Sequence, residues 1–300
     1  MLSVVVITYN HMNMIKQCLN SLLLSKTDDI ELVISDDCST DATVSVIENW
    51  LAVNEHKFKN VIFIKNKKNL GTVKNVIQAV DTSNSAYIKM IAGDDWFVAG
   101  ALDVMREFIL NNRFDAAFSS LVVAYQDSEG NIEVANEIVP ASRIPGFFEM
   151  DSKDQFRQLT RWCCLPAPGN LFTRKFWNTI ELAKAKATIA EDWAMWLSGA
   201  SKSMKFMEIP ATLVVYRKHA KSVSRDSRNP RVKKSLREVA WVLWNIGFSR
   251  KEWLTFSDKA RLFLLWFTIR TVSLFPVRLI AFTDKVRRFL GAIIFKRSFK

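Results

Sequence analysis

Ile30–Asp41 reads IELVISDDCSTD: an apolar run, two adjacent carboxylates, then residues suited to turns and caps. A continuous run of this kind fits a strand covered on both faces, as in parallel sheets. Asp36 and Asp37 close it. Adjacent carboxylates repel each other and resist burial, so a pair at the end of a buried strand calls for a positive partner. The pattern recurs in IAGDDW, Ile91–Trp96, where the strand Ala86–Ala92 ends in Gly93-Asp94-Asp95. A third acidic string, AEDW at Ala190–Trp193, lies well downstream. A divalent cation is the simplest partner for such carboxylates, because hard cations take oxygen ligands. Metal ions commonly escort diphosphates, so the strings point to a site for a nucleoside diphosphate.

The flanking sequence has the same grammar. Ser3–Thr8 is a Val-rich strand ending in Tyr9-Asn10-His11. Ile15, Cys18, Leu19, Leu22 and Leu23 form one helix face within Met14–Leu24. Ser39 or Thr40 is expected to cap a helix running through Val44, Ile47 and Leu51. Val61–Ile64 is a third strand, Asn69-Leu70-Gly71 a turn, and Val73–Val80 and Leu102–Asn111 are helices. Strands alternating with helices predict an α/β fold with a Rossmann-like, mostly parallel sheet flanked by helices. Ligands of such sheets bind beyond the carboxyl ends of the strands. Tyr9, Asn10, Asp36, Asp37, Gly93, Asp94 and Asp95 all fall there.

Of 300 residues, 49% are hydrophobic and 24% charged, an ordinary globular balance. The net charge of +12 is confined to one end: Arg231–Lys300 holds 16 Lys and Arg against 4 Asp and Glu, and the remainder balances. That asymmetry predicts a body over residues 1–230 and a basic tail over residues 231–300. The body divides near residue 112, with Phe114–Tyr125 and Ala211–Val215 as further strands and Val139–Leu165 as a variable stretch. The tail reads as helical, with Trp241, Trp244, Phe263, Trp266 and Phe267 interleaved by Arg261 and Arg270. Its uncharged runs, Leu262–Ile269 among them, are too short to span a bilayer. A basic, aromatic helix suits a membrane interface with anionic lipid. Packing against the body is the competing reading, and no groove-reading motif suggests nucleic acid. Cys18, Cys38, Cys163 and Cys164 lack metal or redox spacing and read as reduced cysteines of a cytoplasmic protein. The chain starts directly into a strand, so no signal peptide is expected.

ITYN at Ile7–Asn10, SDDCSTDAT at Ser35–Thr43, NLGTVKN at Asn69–Asn75, the GDDW strand end and EDW at Glu191–Trp193 together resemble the inverting family-2 glycosyltransferases of GT-A fold. The likeness covers about Ser3 to Ser224. It implies transfer from a nucleotide sugar, a UDP-sugar by family habit, to a hydroxyl of a polyprenyl-diphosphate-linked glycan in polysaccharide or O-antigen assembly. The enzyme would sit on the inner face of the cell membrane.

The resemblance also implies roles. Thr8, Tyr9 and Asn10 would line the nucleoside pocket, and Asp36 and Asp37 would accept hydrogen bonds from base or ribose. Gly71 would allow a tight turn beside the ligand, with Lys74 near the base. The family often carries an Asp where this chain has Ala92, leaving Asp94, with Asp95, for Mn2+ or Mg2+. Asp192 would be the general base, with Glu191 contacting the acceptor. In YRKHAKSVS, Tyr216–Ser224, His219 would ligate the metal or donate to the diphosphate, and Arg217 and Lys221 would screen phosphate charge. His11 and His56 read as surface residues, and Trp162 and Trp177 as core aromatics or sugar platforms. Two alternatives remain open: a catalytically weak nucleotide- or sugar-binding protein, suggested by Ala92, and a nucleotidyltransferase of related fold.

Overall fold

The structure, a computed structural model, describes residues 1–180, 191–219, 238 and 240–272. The first strands form as expected, because each is apolar on both faces. β1 (Leu2–Thr8) leads through α1 (Ile15–Leu22) to β2 (Ile30–Asp36), then α2 (Thr43–Asn54), β3 (Asn60–Lys65), α3 (Thr72–Thr82) and β4 (Tyr87–Ala92). β1 lies between β2 and β4, and β3 pairs with β2, all in parallel. Alternate residues separate to two cores. Val4, Val6, Leu32 and Ile34 face α1 and α2, while Val5 and Val33 face α3. Each such side chain contributes about 1.5–3 kcal/mol through burial, which fixes the register and with it the level at which the strands end.

The short β5 (Trp96–Phe97) and α4 (Ala101–Asn111) precede a mixed half: β6 (Ala116–Gln126), β7 (Ile132–Val139), α5 (Ser152–Leu159), β8 (Asn170–Thr173), α6 (Arg174–Thr179), α7 (Glu191–Ser201) and β9 (Phe206–Lys218). The sheet order is β3-β2-β1-β4-β8-β6-β9-β5, with β7 on β6. β6 and β9 form a long parallel ladder; the antiparallel pairings through β8, β5 and β7 are shorter.

Two local expectations are corrected. Neither Ser39 nor Thr40 caps α2: its N-terminus follows Ala42, where Asp41 instead accepts from the Thr43 amide at 2.9 Å. Trp177 is buried, stacks on Phe172 and donates Nε1–H to Asp81 at 2.7 Å, so it belongs to the core and offers no sugar platform. All four cysteines are free.

The described part of the C-terminal region is helical and packs on the body. It ends in α8 (Phe256–Val272). Val242, Leu243, Ile246, Leu254 and Leu262 share a core with α5 and α7. Thr255 and Asp258 cap α8 reciprocally, the Asp258 amide donating to Thr255 Oγ1 and the Thr255 amide to Asp258 Oδ2. The buried Asp258 carboxylate also accepts from Arg157 Nε at 2.8 Å and Arg161 NH2 at 3.0 Å, which fastens α8 to α5. Among the described residues, no helix is long and apolar enough to cross a membrane. Residues 273–300 of the expected tail lie outside the described residues.

Candidate active site

The parallel strands β1, β2 and β4 end at one edge of the sheet, each in a polar turn. After β1 the chain enters a left-handed conformation at Asn10, with φ of +57°, where Asn is one of the few tolerant side chains. Asn10 then ties two loops together: its amide donates to Ser39 Oγ at 2.8 Å, and its Oδ1 accepts from the Thr40 amide at 2.8 Å. Thr8 is buried and Tyr9 half-buried beside it.

The carboxylates at the end of β2 are buried and hydrogen-bonded. Asp36 accepts from the Ser39 amide and hydroxyl. Asp37 accepts from the Leu70 amide at 2.7 Å and the Gly71 amide at 2.9 Å. Gly71 has a φ of +84°, which only glycine adopts at low cost, and it opens α3. Asp37 thereby holds the NLG turn against the sheet, and Lys74 is exposed on the first turn of α3.

Gly93 begins the turn after β4 and lets it approach β1 closely. A Cβ there would lie 2.8 Å from Ile15 Cδ1, 3.0 Å from Thr8 Oγ1 and 3.1 Å from His11 Nδ1. Asp94 and Asp95 then diverge. Asp95 turns inward and is 2% exposed, accepting from the Arg217 amide at 2.9 Å. Burial, and next the charge of Asp94, push its carboxyl well above the usual range. This inward orientation departs from the expected metal-ligand role of Asp95. Lys89 is buried on the same strand, bonded to the Pro168 carbonyl. Burial pulls its ammonium down to about 7, against the opposing charge of Asp95.

Asp94 is less buried, its side chain 19% exposed. Its Oδ2 lies 3.1 Å from His219 Nε2. Burial opposes its ionisation, but the His219 hydrogen bond and the nearby His11 hold its carboxyl below the usual range. His11 was expected at the surface; it is instead half-buried, with Nδ1 3.2 Å from Thr8 Oγ1. Burial lowers its pKa, partly offset by the charge of Asp94. His56 is exposed, as expected.

Arg217 also differs from its expected role as a phosphate contact. It is 1% exposed, and its guanidinium lies under the acidic turn, 4.7 Å over the Trp96 ring. Nε donates to the Asp94 carbonyl at 2.6 Å, NH1 to Gln126 at 3.0 Å and NH2 to Gln17 at 2.7 Å. Arg217 is therefore the buried cation that the paired aspartates require. Lys221 and the rest of the YRKHAKSVS string beyond His219 lie outside the described residues.

Asp192 belongs to a separate group at the start of α7, a helix that opens with Glu191. Its Oδ1 accepts from the Trp193 amide at 2.7 Å, and Cys163 Sγ donates to Oδ2 at 3.7 Å. Burial raises its pKa above the carboxylate value, while the Trp193 amide, the Cys163 thiol and the Arg143 charge act in the other direction. Trp193 pins this end of the helix by donating Nε1–H to the Leu159 carbonyl of α5 at 2.7 Å.

Among the described residues, no three His, Cys, Asp or Glu side chains are spaced to enclose a metal. Asp94 and His219 are the close pair that fits one. A carboxylate and an imidazole leave most of a cation's coordination to ligand oxygens, a common arrangement where substrate phosphates complete the shell.

A nucleotide-type α/β sheet with acidic strand ends, an Asp–His pair and a separately held carboxylate defines an enzyme of the GT-A class. The family profile described as Glycosyl transferase family 2 matches residues 3–175, and the chain belongs to that family. It is a glycosyltransferase. Among curated relatives it is similar to the Escherichia coli UDP-Glc:alpha-D-GlcNAc-diphosphoundecaprenol beta-1,3-glucosyltransferase WfaP, at 23% identity over 78% of this chain and 84% of that one. Its fold is similar to that of Staphylococcus aureus TarS 1–349 in complex with UDP-GlcNAc, with a TM-score of 0.58, 17% identity, and coverage of 84% of this chain and 69% of that one. It is also similar in fold to the mannosyltransferase PcManGT from Pyrobaculum calidifontis in complex with GDP-Man and Mn2+, with a TM-score of 0.51, 12% identity, and coverage of 95% and 80%.

Proposed function

We propose that this glycosyltransferase moves a sugar, with inversion, from a UDP-sugar to a hydroxyl of a polyprenyl-diphosphate-linked glycan at the inner face of the cell membrane. The observation that carries the reading is the convergence of three polar strand ends around Asp94 and His219. The printed donor and acceptor of the Escherichia coli relative support the substrate classes.

Thr8, Tyr9 and Asn10 form the nucleoside side of the site. Asp36 and Asp37 shape its floor, and their remaining lone pairs accept from base or ribose. Gly71 and the exposed Lys74 border it. Asp94 and His219 would hold Mn2+ or Mg2+, which when bound neutralises charge on the diphosphate. Asp95 and Arg217 position Asp94 from beneath: Arg217 holds its carbonyl, and Asp95 holds the Arg217 amide.

Asp192 takes the proton from the acceptor hydroxyl as that oxygen attacks the anomeric carbon and the nucleoside diphosphate departs. A carboxylate raised by burial is a stronger base, which suits this step. Glu191 begins the same helix and is assigned to the acceptor side. The basic C-terminal region, residues 231–300, brings the enzyme to the surface where such an acceptor resides.

The test is calorimetric binding of a panel of nucleoside diphosphates, with and without Mn2+. Metal-dependent binding of UDP, weakened in Asp94→Ala, is the expected result. No binding of any nucleotide under either condition would overturn the reading.

A further inference from the structure

α8 is apolar on two sides, and among the described residues the body covers one. Asp258 and Leu262 are buried against α5 and the shared core, with Leu265, Trp266 and Ile269 half-buried along the same side. The opposite side presents Phe263 at 47%, Leu264 at 58% and Phe267 at 53% exposure. Trp244, 48% exposed, extends this surface from the preceding segment: its ring centroid lies 4.5 Å from that of Trp266, and Phe263 continues the line to Phe267. A helix apolar on all sides is normally buried on all sides, so this face calls for a second apolar medium.

We infer that the face formed by Trp244, Phe263, Leu264 and Phe267 docks in the interface of an anionic lipid bilayer, with α8 lying along the membrane. The inference deepens the membrane reading above and rests on it for the enzyme's location. Charge selects the occupant. Lys259, Arg261 and Arg270 are exposed on α8 around the aromatic face. The sequence beyond Val272 adds seven Lys and Arg against one Asp. A basic rim around exposed aromatics fits lipid phosphate above an acyl boundary, where Trp and Phe partition favourably. Spanning is excluded for α8 itself, because its 17 residues include Asp258, Lys259, Arg261 and Arg270.

The docking would also orient the chemistry. Asp258 fastens α8 to α5 through Arg157 and Arg161. α5 in turn holds the start of α7, where Asp192 sits, through the Leu159 carbonyl and Trp193. The membrane face and the proposed base therefore share one packed unit.

The experiment is flotation of the full chain with vesicles of phosphatidylglycerol and phosphatidylcholine in equal parts, against vesicles of phosphatidylcholine alone. Neither carries donor or acceptor, so the result stands apart from transfer. Wild type should float with the anionic vesicles, and Phe263→Ser/Phe267→Ser should lower partitioning at least about tenfold, from the apolar surface lost. Transfer to a soluble, short-chain acceptor should stay unchanged in the variant. If the double variant is unstable, Leu264→Ser should give a smaller loss in the same direction. Equal flotation of wild type and variants would overturn the proposal. So would a wild-type dimer that ignores vesicles and dissociates in the double variant, because the face would then pair with a second copy.

Discussion

The two halves of the candidate site hold their carboxylates in opposite ways. Asp94 stands at the end of a central parallel strand, below the usual carboxylate pKa, with His219 as its partner. Arg217 braces it from beneath. Asp192 stands at the start of a helix in the mixed half, accepting from the Trp193 amide and the Cys163 thiol, and burial raises its pKa. The first arrangement keeps a negative charge in place before any ligand arrives. The second holds a charge that gains by taking a proton. On the proposed reading, the first carboxylate would help hold the metal that faces the departing diphosphate, and the second would take the proton of the incoming hydroxyl.

The sharpest way to separate the halves is Asp192→Asn. The amide cannot accept the proton, and transfer should fall about a thousandfold, within the usual range for a general base. Nucleotide binding by calorimetry should remain near wild type, because among the described residues the hydrogen bonds of Asp192 run to Trp193 and Cys163 and not to the strand-end group. Unchanged turnover would remove Asp192 as the base.

Arg217→Met tests the other half. It removes the buried cation beneath Asp94 and Asp95 and leaves Gln17 and Gln126 without their donor. Breaking a buried charge arrangement from one side costs about 3–5 kcal/mol, so the denaturant midpoint should fall markedly and nucleotide affinity with it. Wild-type stability would show that Arg217 carries no structural charge role.

This contrast also explains what could be read in advance. β1, β2 and β4 were legible because strands buried on both faces are unbroken apolar runs, and their polar ends then mark the ligand edge without further information. Side-chain direction was not legible. Arg217 reads as a phosphate-screening residue because it falls just past the expected strand Ala211–Val215. The strand nevertheless runs from Phe206 to Lys218, with its register against β6 shifting across Pro210 and Ala211. That register decides which of Arg217 and Lys218 turns inward. His11 was missed for a related reason. Its polar neighbours suggest solvent, and its burial arises from the approach of the Gly93 turn, a contact between distant segments. α8 hid its geometry because both of its sides are apolar, which erases the periodicity that marks a surface helix.

The smallest effect expected is on the pH profile, and it probes the weaker of the two supports. As the proposed base, Asp192 would have to be ionised to accept a proton, so kcat/KM should fall as pH drops through its raised pKa, above that of an exposed carboxylate at about 3.9. Cys163 stays a protonated thiol across this range, because burial and the Asp192 charge push its own pKa well up. Its S–H therefore favours the charged form of Asp192. Cys163→Ala removes that donor without adding a charge, so the acid limb should move to higher pH while nucleotide affinity and the plateau rate stay close to wild type. Cys163→Ser, which restores a donor, should return the limb toward its original position. A limb that moves to lower pH in Cys163→Ala would mean that the thiol disfavours the carboxylate, and that burial alone does not set the strength of the base.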